Sequence, residues 1–201
     1  MTERPAARAT QSAARSAAAA LPGAAPGIDQ TANLLGALSL MVADRMADAM
    51  ADAGGRPESA AAALCALLHF LDRPSVDLLR QVLGLTSSGT VRLVDRMTES
   101  GFVERGPGSD GRSTSVALTE AGQAVAQRVA AARADVLEGA LAGLPAADRD
   151  ALRRILGTML VGLMRGPGAV RWMCRLCETG ACRGAEGGCP VGNAARDRYL
   201  S

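Results

Sequence analysis

Lysine is absent from the 201 residues of this chain, histidine occurs once, and one tryptophan, one tyrosine and two phenylalanines are its only aromatics. With so little aromatic bulk, a core must be built from Leu, Val, Ala and Met, which favours helices. The single histidine, His69, leaves little room for general-base catalysis. No Ser/His/Asp set, P-loop or dinucleotide motif stands out, so no enzyme is expected. No apolar run approaches the roughly 20 residues that a membrane helix needs, and a cytoplasmic protein without membrane contact is expected. The formal net charge is only +2, so bulk electrostatics says little about partners. That every basic side chain is Arg reflects coding bias more than chemistry.

What is present suggests one domain with tails. Residues 1–27 are rich in Ala, Pro and Arg and hold too little apolar bulk to offset the entropy of ordering, so they read as a disordered arm. They lack the apolar segment of a targeting peptide, and Arg4, Arg8 and Arg15 offer non-specific contacts to DNA. From Ile28 to about Ala53, Leu34, Leu35, Leu38, Met41, Val42 and Met46 recur at helical spacing, and Gly54-Gly55 stops the run. Pro57 can open a second helix, whose stripe is Leu64, Leu67, Leu68 and Leu71. Ser75 is placed to cap a short helix with Val76, Leu79, Val82 and Leu83 inward and Gly84 at its end. Thr86 caps the next, with Val91, Val94 and Met97 inward and Gly101 closing it.

The period then changes to two. Residues 102–105 and 113–118 read as strands joined by a loop over 106–112. A long helix follows with Val125, Val129, Val136 and Leu137 on its stripe. From Asp148 a last helix puts Leu152, Ile155, Leu156, Met159, Leu160 and Leu163 on one face, and Gly166-Pro167-Gly168 ends the globular part. The fold class is therefore mainly α: a winged helix-turn-helix over 28–166, flanked by helices at 28–53 and 121–165. The apolar faces of those outer helices have no partner in so small a core, so a symmetric homodimer is expected.

The helix after Thr86 needs one face for packing, and its other face carries Ser87, Ser88, Thr90, Arg92 and Arg96. Short hydroxyls beside the free N–H groups of a helix N-terminus suit phosphate oxygens. Arg92 and Arg96 lie one turn apart, placed for base edges or flanking phosphates. The wing tip GPGSDGR presents Arg112, with Asp110 orienting it. The pattern favours double-stranded DNA, against a merely solvated face or a protein-interaction module.

The stretch LGLTSSGTVRLVDRM, followed by GFVERG, SDGRS and LTEAG, resembles the MarR family of bacterial transcriptional regulators over roughly residues 30–165. The resemblance implies a homodimer on a pseudo-palindromic operator, usually a repressor, often answering to a small phenolic or lipophilic effector. It implies Ser87, Ser88, Thr90 and Arg92 in the major groove, and Asp110 and Arg112 at the wing tip. The N-terminal arm and everything after Gly166 depart from the family pattern.

In 167–201, Cys174, Cys177, Cys182 and Cys189 form C-x2-C-x4-C-x6-C. Little apolar bulk surrounds them, so something other than hydrophobic burial must order the segment. A small metal-binding module is expected. Four thiolates suit a closed, structural zinc site, with Arg171, Arg175 and Arg183 offsetting charge. An iron–sulfur cluster, for which Cys189-Pro190 speaks and the spacing does not, and a pair of thiol–disulfide switches remain open. On the iron–sulfur reading the chain would be a redox sensor or electron carrier, its winged domain serving mainly to dimerise. Trp172 is expected to anchor this module on the dimer helices. Cys65, with no charged neighbour visible in the sequence, reads as a buried small hydrophobe, and His69 as a helix-end residue.

Overall fold

A computed structural model of the chain describes residues 27–54, 58–108, 113–166, 168–182 and 188–199. The expectations for residues 1–26, Pro57, Asp110, Arg112 and Arg183 fall outside those residues. Contacts divide the chain into a first unit, Met1–Ala37, and a main body, Leu38–Ser201.

The described elements run α1 (Gln30–Gly54), α2 (Glu58–His69), α3 (Val76–Leu83), α4 (Ser87–Glu99), β1 (Val103–Pro107), β2 (Thr114–Leu118), α5 (Glu120–Leu141) and α6 (Ala146–Leu163), followed by α7 (Ala169–Met173), α8 (Thr179–Cys182) and α9 (Pro190–Tyr199). The order through α6 is the one the periodicities predict. The three tail helices are too short, or too poor in apolar residues, to announce themselves by period.

Local chemistry sets the boundaries. Oxygens of Ser75, Thr86 and Thr119 accept the N–H of Leu78, Gly89 and Gly122 at 3.1, 3.1 and 3.0 Å, each three residues on, as N-caps do. Gly84 and Gly101 take the left-handed conformation, at φ of +67° and +70°, where α3 and α4 must turn out of their helices.

β1 and β2 pair antiparallel, from Val103 opposite Leu118 to Pro107 opposite Thr114. The wing is tied to the stretch before α3: Val116 donates its N–H to the Pro74 carbonyl at 2.9 Å, and Ser75 bridges Ser115. Arg73, a non-glycine residue at φ of +44° in that stretch, pairs with Glu104 of β1 at 3.1 Å.

α2 lies at the centre. Its residues from Ala60 to Leu67 are buried around the whole helix rather than along the single leucine stripe expected. Alanine makes this possible, because a side chain one carbon long lets α3, α4, α5 and β2 all approach α2. Leu64, Leu79, Val82, Val94, Val103, Val116 and Val129 fill the space between them and are fully buried.

The outer helices differ. In α1 only Met50 is buried, while Leu34, Leu35, Leu38, Leu40 and Met41 stand exposed. In α6 only Gly157 is buried, while Ile155, Leu156, Leu160 and Leu163 stand exposed. These are the faces expected to lack a partner within one chain. Among the described residues no helix is long and apolar enough to cross a membrane.

Candidate nucleic-acid interface and cysteine cluster

α4 is the second helix of the helix-turn-helix, and its burial pattern shows which side faces out. Thr90, Leu93, Val94 and Met97 are buried; Ser87, Ser88, Val91, Arg92 and Arg96 are exposed. The expected face therefore needs a correction by one residue. Thr90 is fully buried, its hydroxyl donating to the Thr86 carbonyl at 3.0 Å, so it cannot meet a ligand. Val91, expected inward, is 46% exposed and takes the place beside Arg92. A threonine whose hydroxyl is satisfied by the preceding turn packs like the valine it resembles in shape, and the pattern of apolar letters does not reveal that.

The arginines on and around α4 fall into two groups. Arg105 of β1 reaches back to Asp95 of α4 at 2.6 Å, fixing the angle between wing and helix. Arg80 is held by Asp77 at 2.8 Å, and the Asp77 carboxyl sits below its ordinary range because Arg80 and then Gln81 donate hydrogen bonds to it. Among the described residues, by contrast, Arg92 and Arg96 make no ion pair. Two solvated cations one turn apart, behind two serines in the first turn, form a surface that attracts phosphate and carries donors for bases.

Where the wing loop closes, Gly108 donates its N–H to the Ser113 carbonyl at 2.8 Å. Between α3, α4 and the wing lies an open groove of about 570 Å³ lined by Ser75, Val76, Asp77, Val91, Arg105, Ser113 and Thr114. Ser113, Thr114 and Arg105 were not singled out from the sequence. No alternation marks Arg105, which is exposed beside Glu104 although it shares its side of β1 with buried Val103.

The tail does not stand apart. Trp172 lies against the helix-turn-helix and not only against the outer helices: a Cβ on Gly84 would meet its indole Nε1 at 3.0 Å. α7 packs on α3, α9 packs on α6, and Leu176 joins the main core. A second small core joins Met164 to Val191 and Ala195.

The four tail thiols stand as two hydrogen-bonded pairs, Cys174 with Cys177 and Cys182 with Cys189, each near enough to the other pair to affect its charge. Among the described residues no group of three or more potential ligands is already gathered as a metal site. The hydrogen bond from Cys174 pulls Cys177 down to about 6; burial opposes this and Arg133 assists it. Cys174 moves up, through the same hydrogen bond, its burial and the charge of its neighbours. Cys182 also moves up, first by burial and then by the charges of Cys189 and Cys177.

Arg133 is the residue that sequence reading missed. It projects from α5 toward this cluster and toward Cys65, and its Nε is buried without a hydrogen-bond partner. Its partners come from α2 and from a tail more than forty residues on, so no local pattern marks it.

Cys65 is buried as expected, but it has Arg133 as a charged neighbour. Burial outweighs that attraction and pushes the thiol from its ordinary 9.0 to about 11. Two pH units leave about a hundredfold less thiolate at neutral pH, and thiolate is the reactive form. In the native protein free of metal, Cys65 should therefore react with iodoacetamide well after Cys177. Peptide mapping after timed alkylation checks this; early labelling of Cys65 would contradict it.

No protein-family model and no curated protein matches the sequence. Solved structures do resemble it. A MarR-family transcriptional regulator from Rhodococcus sp. RHA1 is 20% identical, with a TM-score of 0.53 over 66% of this chain and 96% of that one. MepR, a transcription regulator of the Staphylococcus aureus multidrug efflux pump MepA, is 14% identical, with a TM-score of 0.58 over 68% of this chain and 100% of its own. MarR from E. coli, in its apo form, is 24% identical, with a TM-score of 0.52 over 63% and 96%. At these identities the likeness is one of fold: the chain has the MarR-type winged-helix architecture.

Proposed function

We propose that this protein is a homodimeric, sequence-specific DNA-binding transcriptional regulator that represses by occupying a pseudo-palindromic operator. The observation that carries the reading is the outer face of α4, where exposed Ser87, Ser88, Arg92 and Arg96 stand with both arginines unpaired among the described residues. α4 enters the major groove, Arg92 and Arg96 contact bases or flanking phosphates, and the wing lies along the neighbouring backbone. The exposed apolar faces of α1 and α6 support the dimer, which sets two recognition helices about one helical turn of DNA apart.

A small effector fits the cleft of about 710 Å³ lined by Leu160, Leu163, Trp172 and Met173, with Gln81, Arg165, Arg171 and Arg175 around them. An apolar wall with three arginines and no carboxylate among the lining residues suits an anionic amphipath.

The test is a selection from a pool of random duplexes with the full chain. A two-fold symmetric consensus is expected. On the selected site, Arg92→Ala should weaken binding about tenfold or more. Arg96→Ala, if it removes a phosphate contact, should lower the salt slope by about one. Thr90→Val, isosteric and buried, should leave affinity unchanged. Failure of any sequence to enrich at low salt would overturn the reading.

A further inference from the structure

We propose that the four tail cysteines hold one thiophilic divalent cation, zinc first among them, and that this ion clasps the DNA-binding helix-turn-helix to α6. The two halves of the clasp are anchored on different parts of the body. Cys174 and Cys177 follow α7, which packs on α3 and places Trp172 against Gly84 in the turn before the recognition helix; Leu176, between the two cysteines, sits against the main core. Cys189 opens α9, its Sγ accepting the Gly192 N–H at 3.4 Å. α9 in turn is fastened to α6 and the turn after it. Pro190 would lie 3.3 Å from a Cβ on Gly157, Arg198 donates to the Val161 carbonyl at 3.2 Å, and the Gly166 N–H donates to the Tyr199 hydroxyl at 3.0 Å. Cys174 and Cys177 thus hang from one anchored segment, and Cys189, hydrogen-bonded to Cys182, from the other.

The donor set fits a closed zinc site, which takes four sulfurs tetrahedrally. The described pairs are not converged on one point, and bringing them together is what a cation accomplishes. Zinc binds thiolates, so each thiol still protonated gives up its proton as its Zn–S bond forms, and no electron moves. Four thiolates around a divalent cation carry a net charge of −2. Arg133, near enough for its charge to reach Cys177 and Cys182 and with its Nε buried and unpartnered, supplies a compensating charge and an N–H that no other group takes. α7 and α8, of five and four residues, are too short to be stable helices by themselves, and such a link adds to the packing that holds them.

The metal half of this proposal stands by itself; its effect on DNA rests on the regulator reading above. The experiment uses the full chain, purified without chelator. Metal analysis is expected to find about one zinc per chain, and Arg133→Gln to lower zinc affinity about tenfold in competition with a chelator. Cys177→Ser and Cys189→Ser, one from each pair, should each lose the metal. The variants' helical circular dichroism, together with cobalt(II) absorption of the intact chain, separates loss of the site from loss of the fold. Removing zinc from the wild-type chain should weaken its selected duplex at least tenfold.

A chain that retains no metal and holds its four thiols as disulfides, or one that carries a brown iron–sulfur chromophore, overturns the divalent-cation site. A zinc-loaded chain whose DNA affinity is the same after chelation overturns the clasp. A zinc-loaded chain that enriches no DNA sequence defeats the regulator reading and leaves the metal site intact.

Discussion

Replacing Gly122 with alanine is expected to destabilise the protein by about 3 kcal/mol, the sum of a lost cap and an overpacked contact. The reason is a close approach of two backbones. A Cβ on Gly122 would lie 1.8 Å from the Phe102 carbonyl oxygen and 2.7 Å from its carbon, inside any van der Waals contact, and neither atom is a side chain that can swing away. The same carbonyl accepts the Thr119 N–H at 3.1 Å. The Thr119 hydroxyl caps Gly122 while donating to the Gly101 carbonyl at 2.6 Å. Adding one methyl therefore pushes α5 off the start of the wing and breaks the cap that ties α5 to the end of α4. Stabilities of domains run to about 5–15 kcal/mol, so most of the margin of a weak domain would go. For a chain of this length the melting temperature should fall by about 9 °C. Gly139→Ala, in the same helix but with no atom within 4 Å, is the control; it should be neutral or stabilising by about half a kcal/mol. Thermal denaturation of both variants decides. An unchanged melting temperature for Gly122→Ala would mean that α5 does not sit so close to Phe102.

That glycine shows where sequence reading reaches and where it stops. Ser75, Thr86 and the glycines at 84 and 101 announce helix ends because capping is settled within four residues, and the structure places all of them where their chemistry puts them. Gly122 reads only as the last letter of LTEAG, since the backbone that forbids a side chain lies twenty residues earlier. Thr90 and Val91 were exchanged for a related reason: their shapes are alike, and the difference rests on whether a hydroxyl finds the Thr86 carbonyl. Trp172 was expected on the dimer helices; its contact with Gly84, nearly ninety residues away in sequence, is long-range and has no period to betray it. The winged-helix architecture was legible because it is written in local periods and caps. The place of the cysteine segment was not, because its anchors on α3, α5 and α6 are all tertiary.

Glutamate at Leu38 or Ile155 is expected to turn the proposed dimer into monomers without unfolding the chain. Leu38 is 56% exposed and Ile155 55% exposed in the single chain, so neither holds up its core, and glutamate is a good helix former. On the proposed dimer both become interface residues. Burying the exposed part of each leucine or isoleucine stabilises association by about 2 kcal/mol at roughly 25 cal/mol per Å². A two-fold interface contains every residue twice, so a single substitution removes about 4 kcal/mol and brings in two carboxylates besides. Dimer dissociation should rise about a thousandfold or more, since each 1.4 kcal/mol is a factor of ten. Analytical ultracentrifugation should show a dimer for the wild type and a monomer for either variant, with circular dichroism unchanged. DNA binding should follow, because a monomer presents one recognition helix to one half-site and loses the gain of the tethered second contact. On a palindromic duplex, affinity should fall at least a hundredfold, while a duplex carrying a single half-site should distinguish the variants from wild type far less. A wild-type chain that sediments as a monomer at micromolar concentration, or a variant that stays dimeric, would show that these apolar faces are covered in some other way.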